Sequence, residues 1–133
     1  MKYFLDTNII IYAVKGKYPS IVEHFESVPS FNIFVPSIVK AELDYGAKKS
    51  SNYEKTISIY NRFLEIYNVV SFTNDETSIY GNIRSELERE GKIIGGNDML
   101  IASIVLSHDG VLVTHNVDEF SRIKNLRIED WTK

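Results

Sequence analysis

Short apolar runs along the chain alternate with longer stretches in which apolar residues recur every three or four positions. The short runs are rich in Ile, Val, Leu, Phe and Tyr and predict buried strands, whereas the three-to-four spacing predicts helices that bury one face. The pattern therefore predicts five strands, at positions 3–5, 33–35, 68–72, 111–114 and 126–128.

Helical patterns fill the segments between these strands. The last helical pattern, at 99–108, is apolar almost all round, as expected of a helix enclosed between two layers. Gly91 follows the helix before it, and a glycine commonly ends a helix. Six helices are predicted, at 9–14, 20–27, 36 to about 46, 53–67, 75–90 and 99–108.

Strands that alternate with helices predict an α/β fold, in which helices cover both faces of a central, mainly parallel β-sheet in a three-layer sandwich. The 133 residues are enough for one domain, spanning 1–133, and leave little room for a second. In such sheets, ligands bind in the crevice beyond the carboxyl ends of the strands. Catalytic or ligand-binding residues are therefore expected where the strands end.

Polar and acidic side chains occur at these strand ends and at the start of the apolar helix. One edge of the sheet would bring them together, because parallel strands all end on the same side. The candidates are Asp6 after the first strand, Glu42 in the helix after the second, Asp98 at the start of the 99–108 helix, and Asn116, Asp118 and Glu119 after the fourth strand.

Several carboxylates in one crevice repel one another unless cations lie between them. Oxygen ligands suit Mg²⁺ or Mn²⁺, and two such ions can support hydrolysis of a phosphodiester. The sequence has no GxSxG, P-loop, GxGxxG or HExxH motif that would indicate other chemistry. The structural alternatives are that Asp6 and Asp98 only cap helices and that Glu42 is a solvated helix residue. Asp44, two positions from Glu42, is expected to face away.

The composition excludes several kinds of site and classes of protein. Cysteine is absent, which excludes disulfides, iron–sulfur clusters and thiolate zinc sites. The longest strongly apolar run, 99–106, is too short to cross a membrane, and the N-terminus lacks the apolar region of a signal peptide, so a soluble cytoplasmic protein is expected. The net charge of −3 neither supports nor excludes RNA binding, because bound cations or a local basic face can reverse it.

Four ordered blocks resemble the PIN-domain ribonuclease toxins of the VapC family, and the likeness runs the length of the chain. The last block, with its T-x-N, its acid before Phe and its terminal EDW, is most similar to the VapC group that cuts initiator tRNA. The blocks are FLDTNIIIY at 4–12, AELDYGAKKS at 41–50, IRSELEREGKIIGGNDMLIA at 83–102 and VTHNVDEFSRIKNLRIEDW at 113–131.

The resemblance implies a PIN-like fold and a role for each candidate. Three acids match the family's core metal-binding set, and Thr7 and Thr114 match hydroxyls that orient them. Asn116 occupies the place where many PIN domains carry a fourth acid, while Glu119 matches an acid of this subgroup and Asp118 is its neighbour, so the fourth ligand stays open. The core set is Asp6, Glu42 and Asp98.

The resemblance also implies Mg²⁺ or Mn²⁺ as cofactor, RNA as substrate, a VapB-like antitoxin as protein partner, and a homodimer. The expected function is a toxin that hydrolyses RNA, with initiator tRNA cut in its anticodon stem-loop. The alternatives are a PIN nuclease of RNA maturation without an antitoxin and a binding module without catalysis. A receiver or phosphatase domain is disfavoured because the DxDxT motif and an acid pair after the first strand are absent.

Overall fold

The computed structural model describes all 133 residues and contains one five-stranded sheet. The strand order is β3-β2-β1-β4-β5, and every neighbouring pair is parallel. The predicted α/β fold is therefore confirmed, with a sheet that is wholly rather than mainly parallel. The strands are β1 (Tyr3–Leu5), β2 (Ile33–Pro36), β3 (Asn68–Val70), β4 (Val111–Val113) and β5 (Arg127–Glu129).

Seven α-helices connect or follow the strands, and two single turns of 3₁₀ helix precede β2 and α5. Each predicted helix is present, and a four-residue helix after β4 was not predicted. The helices are α1 (Thr7–Lys15), α2 (Pro19–Ser27), α3 (Ser37–Lys49), α4 (Tyr53–Leu64), α5 (Thr77–Glu90), α6 (Gly96–Ser107) and α7 (Val117–Phe120).

Several predicted boundaries differ from the structure. Strand β3 ends at Val70 rather than Phe72, because the backbone N–H of Phe72 donates to the Ser37 hydroxyl at 3.3 Å and has left the strand ladder. Helix α6 begins at Gly96 rather than Met99, with Gly95 as its N-cap. The helix predicted over 53–67 ends at Leu64, and residues 65–67 form a turn.

The central strand β1 lies between β2 and β4 and is buried on both faces at Phe4 and Leu5. Helix α6 is also buried around most of its circumference, as its apolar sequence predicted. At the other end of the chain, the buried Trp131 ring packs on Tyr3, and its indole N–H donates to Glu129 at 2.9 Å. One apolar core thus joins both ends of the chain to the sheet.

Gly110, immediately before β4, lies against the first strand. A Cβ atom at this position would lie 2.5 Å from a ring carbon of Phe4 and 3.1 Å from the carbonyl oxygen of Lys2. Glycine is therefore required for the close approach of β4 to β1. Separately, none of the helices has both the length and the apolar character needed to span a membrane.

Candidate active site

Asp6 lies at the carboxyl end of β1, where that strand leads into α1. Its backbone N–H donates to the carbonyl of Val113 at 2.9 Å, which continues the contact between β1 and β4. One carboxylate oxygen accepts from the Thr7 N–H at 2.8 Å and caps α1, and the other accepts from the Thr114 hydroxyl at 2.7 Å. Asp6 therefore does cap a helix, and the same side chain is fixed at the sheet edge with only 7% of its surface exposed.

Glu42 approaches the same edge from α3. The hydroxyl of Thr7, the residue after Asp6, donates to Oε1 of Glu42 at 2.6 Å. This bond joins the first turn of α1 to the second turn of α3, so two acids from different strand–helix junctions share one connecting residue. Asp44, two positions on, instead accepts from Lys48 at 2.8 Å and Tyr53 at 3.0 Å, on the side that faces away as predicted.

Asp98 approaches Asp6 and Glu42 from the first turn of α6. The N-cap of that helix is Gly95, and Asp98 makes no capping bond, so the capping alternative is wrong for this residue. Partial burial, followed by the charges of Asp6, Glu42 and Glu119, raises the pKa of Asp98 to about 7. When protonated, Asp98 hydrogen-bonds Glu119, which adds to the rise. Asp98 thus keeps its proton to a higher pH than an ordinary aspartate does.

Burial also raises the pKa of Asp6 above that of an ordinary aspartate. The hydrogen bonds from Thr114 and from the Thr7 N–H act in the opposite direction, because they stabilise the charged carboxylate, and the nearby charge of Glu42 adds to the rise. Both pKa shifts have the same largest cause, which is burial, and nearby negative charges add to each.

The structure separates the three candidates for the fourth position. Asn116 precedes α7, and its backbone N–H donates to the Thr114 hydroxyl at 3.0 Å, but its side chain makes no capping bond. Glu119, on α7, faces Asp98. Asp118 is exposed and lines a separate polar groove between α7 and the segment that leads from α5 into α6. Of the two neighbouring acids, Glu119 is therefore the one that lies with Asp98 and the other two acids of the site.

No basic side chain neutralises these acids. The four ion pairs of the chain are Lys48–Asp44, Arg84–Glu88, His115–Asp130 and Arg127–Asp109, all outside the group. Asp6 and Glu42 are held instead by threonine hydroxyls, which orient a carboxylate without cancelling its charge. The site is consequently a cluster of carboxylates that no basic side chain compensates, made of Asp6, Glu42, Asp98 and Glu119.

The acids do not form a closed metal-binding shell. No three acidic or histidine side chains have the spacing of a shared coordination shell. Mg²⁺ commonly keeps several of its waters and binds through one or two carboxylates, so it does not require a closed protein cage. The chemistry of the donors, all oxygen and without cysteine or histidine, fits Mg²⁺ or Mn²⁺.

An all-parallel sheet with acids at its carboxyl edge is the arrangement of a PIN domain, and the family model described as PIN domain matches residues 3–126. The chain is 43% identical to Ribonuclease VapC2 from Rickettsia felis, covering 100% of both chains. It is 35% identical to the tRNA(fMet)-specific endonuclease VapC of Shigella flexneri, covering 99% of both.

Among solved structures, the chain is similar to the crystal structure of VapBC2 from Rickettsia felis bound to a DNA fragment from their promoter. The match has a TM-score of 0.92 and 41% identity, and it covers 98% of this chain and 99% of the other. The chain therefore belongs to the PIN-domain family and, within it, to the VapC group, which confirms the resemblance that the four sequence blocks indicated.

Proposed function

We propose that this chain is a divalent-metal-dependent endoribonuclease and the toxin of a toxin–antitoxin pair. The observation that carries the proposal is the uncompensated acid cluster, in which the pKa of Asp98 is raised to about 7 by burial and by three neighbouring carboxylates. Such crowding is unfavourable unless cations lie among the acids. The names of the relatives, which include ribonucleases and endonucleases, support RNA as the substrate class.

Asp6, Glu42 and Asp98 would hold Mg²⁺ or Mn²⁺, with Glu119 as the fourth acid. Cations bound there would supply the positive charge that the attacking and leaving oxygens of a phosphodiester hydrolysis require. The protein's own contribution is to hold the carboxylates in position. Thr114 fixes the Asp6 carboxylate and Thr7 fixes Glu42, so neither acid has to be ordered when the substrate arrives.

Initiator tRNA is the proposed substrate, cut once in its anticodon stem-loop. Relatives from Shigella flexneri and Salmonella typhimurium, named tRNA(fMet)-specific endonucleases, are 35% and 37% identical to this chain over nearly its whole length. A loop offers unpaired bases and a backbone that can be drawn over an exposed site.

A VapB-like antitoxin and a second copy of the chain are the proposed protein partners. Similar solved structures from Rickettsia felis, Salmonella typhimurium and Haemophilus influenzae are VapBC complexes, with TM-scores of 0.91 to 0.92. A dimer could extend an RNA-binding surface across two subunits. Light scattering of the isolated chain at micromolar concentration should give twice the monomer mass of 15.3 kDa, and a monomer mass would contradict the dimer.

The decisive experiment incubates purified protein with initiator tRNA and with total RNA, in Mg²⁺, in Mn²⁺ and in EDTA, and maps the new RNA ends. One cut in the anticodon stem-loop is expected, only with metal, leaving a 5′ phosphate and a 3′ hydroxyl. The Asp6→Asn variant serves as the negative control. Brief induction in cells, followed by sequencing of RNA ends, tests the same substrate in its natural setting.

Three outcomes would contradict separate parts of the proposal. Breaks spread over messenger RNAs, with initiator tRNA intact, would reject the substrate and retain the nuclease. Ends that carry a 2′,3′-cyclic phosphate would reject hydrolysis by water, and with it the role proposed for the cations. Full cleavage in EDTA would reject metal dependence.

A further inference from the structure

A polar groove lies beside the acid cluster, between α7 and the segment that leads from α5 into α6. No hydrophobic side chain lines it. Two of its residues are basic, one is acidic and one carries a hydroxyl. The lining residues are Gly91, Lys92, Asp118, Ser121 and Arg122.

The groove is close to the site because the two segments that form its walls also carry two of the acids. Lys92 lies in the segment that leads to Asp98, and Arg122 lies just after α7, which carries Glu119. The walls touch at two places. Asp98 and Glu119 face each other on the side of the acid cluster, and a guanidinium N–H of Arg122 donates to the carbonyl of Ile93 at 3.3 Å. The acids and the groove therefore lie on the same two segments of the chain.

The basic residues of the groove are available to a ligand. Lys48, Arg84 and Arg127 are each paired with an acid, whereas neither Lys92 nor Arg122 forms an ion pair. Arg122 donates one hydrogen bond to Ile93 and keeps its other N–H groups free for an acceptor. With Asp118 counted against them, the two cations leave the groove with one net positive charge beside a site that is otherwise strongly acidic.

We propose that this groove binds a backbone phosphate of the RNA adjacent to the phosphate that is cut, with Lys92 and Arg122 as its ligands. The inference rests on the proposed nuclease function and adds a subsite to it. Phosphate fits because guanidinium and ammonium groups are its usual partners, and because nothing apolar in the groove could receive a base. The subsite offsets the repulsion between RNA and the acids and aligns the strand across them.

The test measures binding in an Asp98→Asn background, which removes one repelling charge and, under the proposed function, prevents cutting. Labelled initiator tRNA is titrated by fluorescence anisotropy from about 50 to 200 mM KCl. Each phosphate contact steepens the dependence of log K on log salt by about one. Because the two cations share one phosphate, the Lys92→Gln/Arg122→Gln double variant should reduce this slope by about one and weaken binding roughly fivefold, and each single variant should reduce the slope by part of that amount.

Two further variants serve as controls. Arg62→Gln removes an exposed, unpaired cation from α4, which lines a different concavity, and should leave the slope unchanged. Arg122→Lys keeps the charge and should restore most of the slope. Unchanged slopes in both glutamine variants, or an equal loss in Arg62→Gln, would overturn the subsite. Wild-type protein that leaves the tRNA uncut would overturn the nuclease function instead, so the two failures are distinguishable.

Discussion

The hydroxyl of Thr114 donates a 2.7 Å hydrogen bond to the inner carboxylate oxygen of Asp6, across 108 positions of sequence. Both side chains are buried, and the Thr114 oxygen also accepts from the Asn116 N–H at 3.0 Å. The threonine thereby connects the ends of β1 and β4 and sets the direction in which Asp6 presents its charge.

Thr114→Val should lower cleavage about ten- to a hundredfold, the usual effect of removing a residue that orients a metal ligand. Valine keeps the shape of threonine and removes the donor, so Asp6 loses the bond that fixes its orientation. Thr114→Ser keeps a hydroxyl and should retain most of the activity. Initial rates at several metal concentrations measure the effect, and equal rates for all three proteins would show that the bond is unimportant.

Asp6→Asn, Glu42→Gln and Asp98→Asn should each reduce cleavage by roughly a hundredfold or more, because each removes charge while keeping shape. Asp44→Asn is the matched control on the same helix as Glu42, since its carboxylate is exposed and paired with Lys48. Its activity should stay close to wild type. Isothermal calorimetry with Mn²⁺ should show weaker metal binding for the first three variants only, and near-normal cleavage by any of those three would falsify its assigned role.

The metal-free protein should lose stability as pH rises from about 4 to about 7. The pKa of Asp98 is raised from 3.8 to about 7 in the folded state, so between these values the folded chain binds this proton more tightly than the unfolded chain does. The free energy of unfolding therefore falls with pH in that window and levels off above it. Asp98→Asn should melt a few degrees higher than wild type at pH 8, and the difference should vanish at pH 4.

Glu119→Gln should raise the metal concentration needed for half-maximal cleavage, because Glu119 faces Asp98 at the acid cluster. Asp118→Asn is its matched control, one residue away on the same short helix and on the side that lines the polar groove. Metal titrations of the two variants compare them directly. A shift for Asp118→Asn alone would assign the fourth position to that residue, and no shift for either would leave Asn116 and the three core acids as the site.

Gly110→Ala should reduce the free energy of unfolding by about 1–3 kcal/mol, because the added methyl group would overlap the buried ring of Phe4. Gly46→Ala provides the comparison: this glycine lies inside α3 with open space around it, and alanine favours helix by up to about 1 kcal/mol. Urea unfolding curves should therefore shift in opposite directions for the two variants.

Much of the fold could be predicted from the sequence because its signals are local. The run before Asp6 predicts a buried strand, and the all-round apolar pattern after Asp98 predicts an enclosed helix; both are present. Helix α7 was not predicted, since four residues are too few to show a helical period. The wholly parallel pairing also depends on long-range contacts that no local pattern specifies.

The candidate site shows the same division. Its acids could be selected because each follows a strand or begins a helix, but the choice between Asp118 and Glu119 could not be made. Adjacent residues on a short helix point in different directions, and only the placement of α7 against α6 determines which one faces Asp98. Arg122 was missed for a similar reason: its contact with Ile93 joins segments 29 positions apart.

The central position of β1 determines how late in synthesis the chain can assemble its acid cluster. The first strand to leave the ribosome needs β4 as its neighbour, and the hydroxyl that orients Asp6 arrives more than a hundred residues later. A partly translated chain therefore has neither the complete sheet nor an assembled acid cluster. Whatever chemistry the acid cluster performs is therefore unavailable until translation of the chain has almost ended.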